Sequence, residues 1–445
     1  MRRTNEQPPG ATKEKGHGLP RLSPASKLEG VKNLRPSWVL LLLGFFVSST
    51  TVFSAANAST QAKHGFVHAQ GEQLVDGAGR PLLLRGINLG NWFEVEGYMF
   101  HFDGGPQAPR EIEELTKNLL GPERAEAFWK QWRATYITEA DIDRIHAMGF
   151  NSVRVPLHWK FFTSEDSEGF RLLDQLVGWA KKDGIYVVLD MHCAPGGQTG
   201  ANIDDSWGYP WLYTSPAAQD ETVAIWKRIA AHYSKEPMVL GYDLLNEPIP
   251  HWPKLQVLKR ELVPVYMKIS AAIRQVDKNH VLILGGANWD SNFGVFSGTF
   301  DTNTMFTFHK YWTETTDKKV IQEYLDFRHE HHVPVWLGES GENKDVWVEG
   351  FRKTLEENQV GWAFWTYKRM DDTPCVVTFD RPVHWDEIVA YAKLPSGTGD
   401  AEKRLAGRPS QEDIDAAFAD LLKKTAFAGE RVNAGYVGAL GMGGS

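Results

Sequence analysis

The chain has 445 residues, 42% hydrophobic and 23% charged, with 41 Gly and 23 Pro, which excludes a coiled coil, a collagen-like fibre and a disordered chain. Its 2 Cys exclude a disulfide-built mini-fold, and a net charge of −8 argues against nucleic acid held on a basic face. The 17 Trp, 13 Tyr and 23 Phe supply many flat apolar rings.

Residues 1–35 are polar and basic, the run Trp38–Val47 is apolar, and Ala56-Asn57-Ala58 follows. A basic segment, a short apolar run and a small-x-small site predict an export signal over 1–58, and the run is short of the ~20 residues of a spanning helix. An uncleaved anchor is the alternative. The expected location is secreted, periplasmic or cell-surface, with no membrane contact beyond the signal and no nucleic acid partner. Export permits a Cys193–Cys375 disulfide, and two free thiols are the alternative. A monomer is expected.

Phe66–Leu84 reads as a hairpin lid turning at Asp76-Gly77-Ala78-Gly79. Eight apolar runs follow: Leu82–Asn88, Ser152–Pro156, Ile185–Met191, Val239–Leu245, Val281–Leu284, Met305–Phe308, Val335–Leu337 and Gly361–Trp365. Apolar on both faces, they predict buried parallel strands. Helical patterns lie between them: a Thr138–Asp141 capping box, then Leu172–Lys182, Glu221–Tyr233, Val257–Val276, Lys318–His332 and Asp345–Glu357. The alternation predicts an α/β fold, a (β/α)₈ TIM barrel over 63–395 with the hairpin lid and long loops at the C-terminal face. An open doubly wound sheet is the runner-up, weakened because no Gly-x-Gly-x-x-Gly joins a strand to a helix. Beyond the barrel, 396–409 reads as linker, 410–424 as an amphipathic helix and 428–445 as a frayed Gly-rich tail.

Polar residues follow strand after strand: Asn88, Asn91, Trp92, Glu94 and Glu96; Arg154; Asp190 and His192; Asn246 and Glu247; His309 and Tyr311; Glu339; Trp365. The C-terminal strand ends of a barrel converge on one mouth. Singly, each residue reads as a cap, a core His or a packing Trp; together they mark a site. His329-Glu330-His331-His332 precedes its strand, at the opposite rim, and reads as a solvated helix end. Carboxylates at Glu247 and Glu339, facing across the mouth, suit glycosidic cleavage: one protonates the leaving oxygen, the other attacks or activates water.

Seven strings in order carry a family resemblance: Leu84-Arg-Gly-Ile-Asn-Leu-Gly-Asn-Trp92, Gly149-Phe-Asn-Ser-Val-Arg-Val-Pro156, Val188-Leu-Asp-Met-His192, Leu245-Asn-Glu-Pro248, His309-Lys-Tyr311, Leu337-Gly-Glu339 and Trp362-Ala-Phe-Trp365. The sequence resembles glycoside hydrolase family 5, the cellulase-like retaining β-glycosidases. The resemblance implies Glu247 as acid/base, Glu339 as nucleophile, Asn246 as partner of the sugar 2-hydroxyl, and Arg154 and Tyr311 as partners of Glu339. It implies His192 and His309 as lining residues and Trp365 as a sugar platform. Ala194-Pro-Gly-Gly-Gln198 is similar to the exo-β-1,3-glucanase branch, where Glu96 holds the terminal sugar; Asn91 stands where that branch has Gly, and the Asn202–Tyr213 insert has no counterpart.

The expected activity is retaining hydrolysis of a β-glucan or β-glucoside, exo-acting, with endo-β-1,4-glucanase and a catalytically inactive carbohydrate-binding barrel as alternatives. No cofactor and no metal are expected. Arg154 is expected to keep Glu339 ionised, whose charge would raise the pKa of Glu247. Trp92 and Trp312 join Trp365 as expected platforms, and the aromatic loops around Tyr98–Phe102 and Trp207–Tyr213 are expected to wall a pocket.

Overall fold

A computed structural model describes residues 65–395 and 398–443. The expected signal segment 1–58 lies outside them. Among the described residues no helix is long and apolar enough to cross a membrane.

Eight parallel strands close into one barrel: β3 (Arg85–Asn88), β4 (Ser152–His158), β5 (Tyr186–Cys193), β6 (Val239–Asp243), β7 (Val281–Gly285), β8 (Thr304–His309), β9 (Val335–Glu339) and β10 (Gly361–Phe364), with β10 pairing back to β3. All eight expected runs are present, and the open-sheet alternative is excluded by the closure. Both strand faces are buried, as the apolar runs require: Val153, Val155, Val187 and Leu189 face the helices, while Val188, Ile283, Met305 and Trp336 face inward. Inward positions change character along the strands. On β5, Val188 is followed by Asp190 and His192; on β8, Met305 is followed by Thr307 and His309. The barrel is thus apolar at its N-terminal end and polar at its C-terminal end.

The hairpin pairs β1 (His68–Gln70) with β2 (Gln73–Val75) and closes the apolar end: Val67, Leu74 and Leu84 join the inward cluster, and Ala69 N–H donates to Asn303 Oδ1 at 2.8 Å. The lid therefore lies opposite the mouth. It turns at Gly71, whose φ of +59° suits glycine, rather than at Asp76–Gly79. The latter segment makes a second turn, with Asp76 Oδ1 accepting from the N–H groups of Ala78 and Arg80, both at 2.9 Å.

Three expectations need correction. The span between β3 and the Thr138 helix is not open loop: it folds as helices Pro109–Leu120 and Pro122–Thr135, joined at Gly121 and burying Ile112, Leu115, Leu119, Phe128 and Trp132. Phe100 and Phe102 pack into that core, Phe102 stacking on Trp385 at 5.6 Å, and do not wall a groove. The tail is not frayed. The helix Gln411–Thr425 leads to β13 (Glu430–Val432), which pairs with β12 (Val377–Phe379), itself paired with β11 (Lys368–Met370); the helix Ala434–Ala439 then packs on the helix Asp345–Glu357. Small residues let the tail approach closely, and its buried Tyr436 donates to Trp365 O at 3.0 Å. Tyr436→Ala is expected to cost roughly 3–5 kcal/mol of stability, measured by denaturant unfolding, against about 1 kcal/mol for Tyr436→Phe.

Cys193 and Cys375 are both free and buried, so the disulfide does not form. His329 and His332 are exposed at the end of the helix Gln322–His331, with His329 Nδ1 3.0 Å from Glu72 of the hairpin, on the rim away from the mouth.

Candidate active site

The polar layer is organised by Arg154, a fully buried guanidinium on β4. Its Nε donates to Asp243 (2.9 Å), Nη1 to Asn88 (3.0 Å) and to Glu339 Oε1, and Nη2 to Asn246 Oδ1 (2.8 Å), with Asp190 at 3.1 Å. One cation thus serves three buried carboxyl groups. A buried Asp within an apolar strand is costly without such a partner, and burial still pushes Asp190 and Asp243 up to about 7 against the pull of Arg154.

Glu339, at the end of β9, accepts from Arg154 and, through Oε2, from the Tyr311 hydroxyl at 3.1 Å. Glu247 lies after β6 with 16% side-chain exposure at the mouth. Its Oε1 is 3.0 Å from His309 Nδ1. Oxygens of Glu247 and Glu339 and a ring nitrogen of His309 all lie within 4.8 Å of one another. Burial pushes the Glu247 carboxyl up to about 7, opposed by His192 and Arg154. Burial, rather than the charge of Glu339, is therefore the leading cause, which corrects the expectation. Burial also pushes His309 down to about 3 and His192 down to about 4, so both are neutral imidazoles near pH 7.

His192 Nδ1 is 2.8 Å from Asp190, and its Nε2 faces Asn246 Nδ2 at 3.2 Å. Asn246 is thereby oriented from both ends of its amide. Trp365 stacks on His192 at 5.7 Å, its Nε1–H donating to the Tyr98 hydroxyl at 2.7 Å. Glu96 is buried beside this group, and burial with the charges of Glu342, Glu339 and Glu247 pushes its carboxyl well up. Asn91 sits at φ +66°, where Gly and Asn fit best, which explains the Asn in place of Gly; its Oδ1 accepts the Glu96 N–H at 3.2 Å.

Trp92 does not belong to the mouth. It is 1% exposed, and its Nε1–H donates to Arg133 O at 2.8 Å, tying the loop after β3 to the helix Pro122–Thr135. Trp312, by contrast, is 66% exposed beside Tyr311.

Residues 202–213 fold over the β4 end. His158 Nε2 is 3.1 Å from Asp205 Oδ2, Arg110 N–H donates to Asp205 Oδ1 at 2.9 Å, and the Arg110 guanidinium lies 4.3 Å over Trp207. This clasp joins the segments after β3 and β5, and Asp205 lies within electrostatic reach of Glu94.

Sequence reasoning passed over two buried acids, Asp243 and Asp290. Asp243 had a signal, an acid inside the apolar run Val239–Leu245. Glu94, expected in the polar set after the first strand, is fully buried with both carboxylate oxygens unpartnered. Asp290 accepts the Glu247 N–H at 2.8 Å and lies in a turn whose path no local pattern announces.

Glu247, His309 and Glu339, and separately Glu94, Glu96 and His192, have donor atoms close enough for a metal ion. In both trios donors are already committed: Glu339 to Arg154 and Tyr311, and both His192 nitrogens to Asp190 and Asn246.

A model of the cellulase family, glycosyl hydrolase family 5, matches residues 114–371. A beta-xylosidase of Phanerodontia chrysosporium is 30% identical over 255 residues, 55% of this chain and 52% of that protein, so the chain spans about half the length of that relative. Endoglucanase C of Acetivibrio thermocellus is 25% identical, over 55% of this chain and 88% of that protein. A glucan 1,3-beta-glucosidase of Lachancea kluyveri is 26% identical, over 64% of this chain and 70% of that protein.

Proposed function

We propose, for a chain that belongs to glycosyl hydrolase family 5, that it hydrolyses β-linked glucans or glucosides with retention, removing sugars from chain ends. The observation that carries this reading is the approach of the Glu247 and Glu339 carboxyl groups, oxygen to oxygen within 4.8 Å. Double displacement uses carboxyl groups about 5–5.5 Å apart, whereas inversion needs roughly 6.5–9.5 Å to admit water.

In the first half-reaction the Glu339 carboxylate attacks the anomeric carbon while the Glu247 carboxylic acid protonates the departing glycosidic oxygen. The C1–O bond breaks and a glycosyl ester forms on Glu339. In the second, the Glu247 carboxylate takes a proton from water, the water oxygen bonds to C1, and Glu339 leaves. Arg154 and Tyr311 hold Glu339 in line. Asn246, fixed by Arg154 and His192, is placed for the sugar 2-hydroxyl, where its hydrogen bond strengthens as charge develops. Trp365 and His192 line the same side.

The clasp of Asp205, Arg110 and His158 pins the segments after β3 and β5 together, which favours a walled site and so exo action. Exposed Trp312 and Trp252 offer platforms to the departing chain. The glucan 1,3-beta-glucosidase relative supports exo attack and a β-1,3 linkage; the endoglucanase relative supports the endo alternative. The leader supports work outside the cytoplasm.

Because Glu247 must hold its proton to act as acid, and burial places that carboxyl at about 7, kcat/KM is expected to fall tenfold per pH unit above that value, as a pH–rate profile will show. The function itself is tested with laminarioligosaccharides, cello-oligosaccharides and aryl β-glucosides and β-xylosides. Glucose as first product supports the reading; mixed oligomers from the first time point select endo action, and no turnover of any substrate rejects hydrolysis.

A further inference from the structure

We propose that Asp290 is a positioning residue for the acid/base, holding the Glu247 backbone and fixing which nitrogen of His309 carries its proton. The inference rests on the assignment of Glu247 made above.

Glu247 has φ +47°, a conformation costly for a residue with a β-carbon. Its N–H is held there by Asp290 Oδ2 at 2.8 Å. Asp290 reaches this place from the turn after β7, where Asn288, Trp289 and Asp290 all have positive φ (61°, 60° and 57°). Glycine behind the turn makes the approach possible: a β-carbon at Gly285 would collide with the Asp290 carboxyl group. The same Oδ2 lies 3.4 Å from His309 Nε2, near enough for its charge to act on that nitrogen although no hydrogen bond joins them, and the ring presents Nδ1 to Glu247 Oε1 at 3.0 Å. Asp290 is fully buried, and its Oδ1 has no hydrogen-bond partner. A residue kept only for packing would not need a charge-bearing group there.

The imidazole lies between two carboxyl groups, one facing each ring nitrogen, and its tautomer responds to both. With Asp290 ionised, its charge favours the proton on Nε2, and the bare Nδ1 accepts the proton of Glu247, which stabilises the acid. With Asp290 neutral that bias is gone, and Nδ1–H donates to the Glu247 carboxylate, which stabilises the base. Asp290 faces Asp243 on β6 and the hydroxyl-bearing Tyr213, Tyr266 and Tyr324 from the surrounding elements. Glu247 and His309 also face Glu339, Arg154 and His192, with Glu96 and Tyr311 beside them. Burial, together with Asp243 and Glu247, holds Asp290 well above the usual carboxylate range.

Asp290→Asn keeps an oxygen for the Glu247 N–H, and so the same oxygen toward His309 Nε2, but removes the charge. Loss of that charge favours the Glu247 carboxylate. The basic limb of kcat/KM is expected to move down by one pH unit or more. The loss is expected to be at least tenfold greater for an alkyl β-glucoside, which needs its leaving oxygen protonated, than for a 2,4-dinitrophenyl β-glucoside, which does not. An unmoved limb with equal losses on both substrates would mean a purely structural role. A second readout needs no turnover: the ring ¹⁵N shifts of His309, identified by their absence in His309→Gln, are expected to change between wild type and Asp290→Asn. Unchanged shifts would overturn the proposal. An inactive wild type whose His309 shifts still respond would reject the hydrolase reading and leave the Asp290–His309 coupling standing.

Discussion

Glu339→Ala is expected to lower turnover by about 10⁴-fold or more, with far-ultraviolet circular dichroism unchanged. The variant removes the group that forms the covalent bond to C1, and water in the vacated space lacks the alignment that Arg154 and Tyr311 give the carboxylate. Azide or formate admitted to that space is expected to restore part of the rate. With azide, attack from the nucleophile's side displaces the aglycone once, so the product is the α-glycosyl azide. The variant also strips Arg154 of one of its three carboxyl partners while Asp190 and Asp243 still neutralise it, so unfolding is not expected.

Glu247→Ala is expected to show a different signature. Loss of the acid costs about 10²–10⁴-fold on substrates with poor leaving groups, and little in the first step for a dinitrophenyl glycoside. The glycosyl ester then accumulates, because nothing deprotonates the attacking water. Azide, which needs no base, is expected to restore turnover and to give the β-glycosyl azide after two displacements. The pair of azide products, α from one variant and β from the other, assigns the two roles independently. A Glu247→Ala variant that loses equally on both leaving groups would remove Glu247 from the acid role.

The barrel was legible because a closed parallel sheet buries both faces of each strand, so that eight apolar runs stand out between amphipathic helices. Most of the candidate site was legible for a related reason. Inward positions turn polar only toward the C-terminal strand ends, as Val188, Asp190 and His192 do on β5, and such residues in an apolar run demand explanation. What could not be read was whatever depends on the path of the chain between elements. Trp92 stands beside the site in sequence, yet its indole turns outward to Arg133 O. Asp290 reaches Glu247 across 43 residues of sequence through a turn of three positive-φ residues. The tail is rich in glycine, which reads as fraying; glycine also allows close backbone packing, and Tyr436 uses it to reach Trp365 O. The helices Pro109–Leu120 and Pro122–Thr135 did carry a signal, with Pro at each first turn and Gly121 between them, outweighed by the aromatic residues just upstream.

Proton NMR of the first sugar released from an aryl β-glucoside, recorded before mutarotation, reads the stereochemistry directly. Two carboxyl groups as close as Glu247 and Glu339 predict the β-anomer as first product; appearance of the α-anomer first would contradict the double displacement on which the account depends.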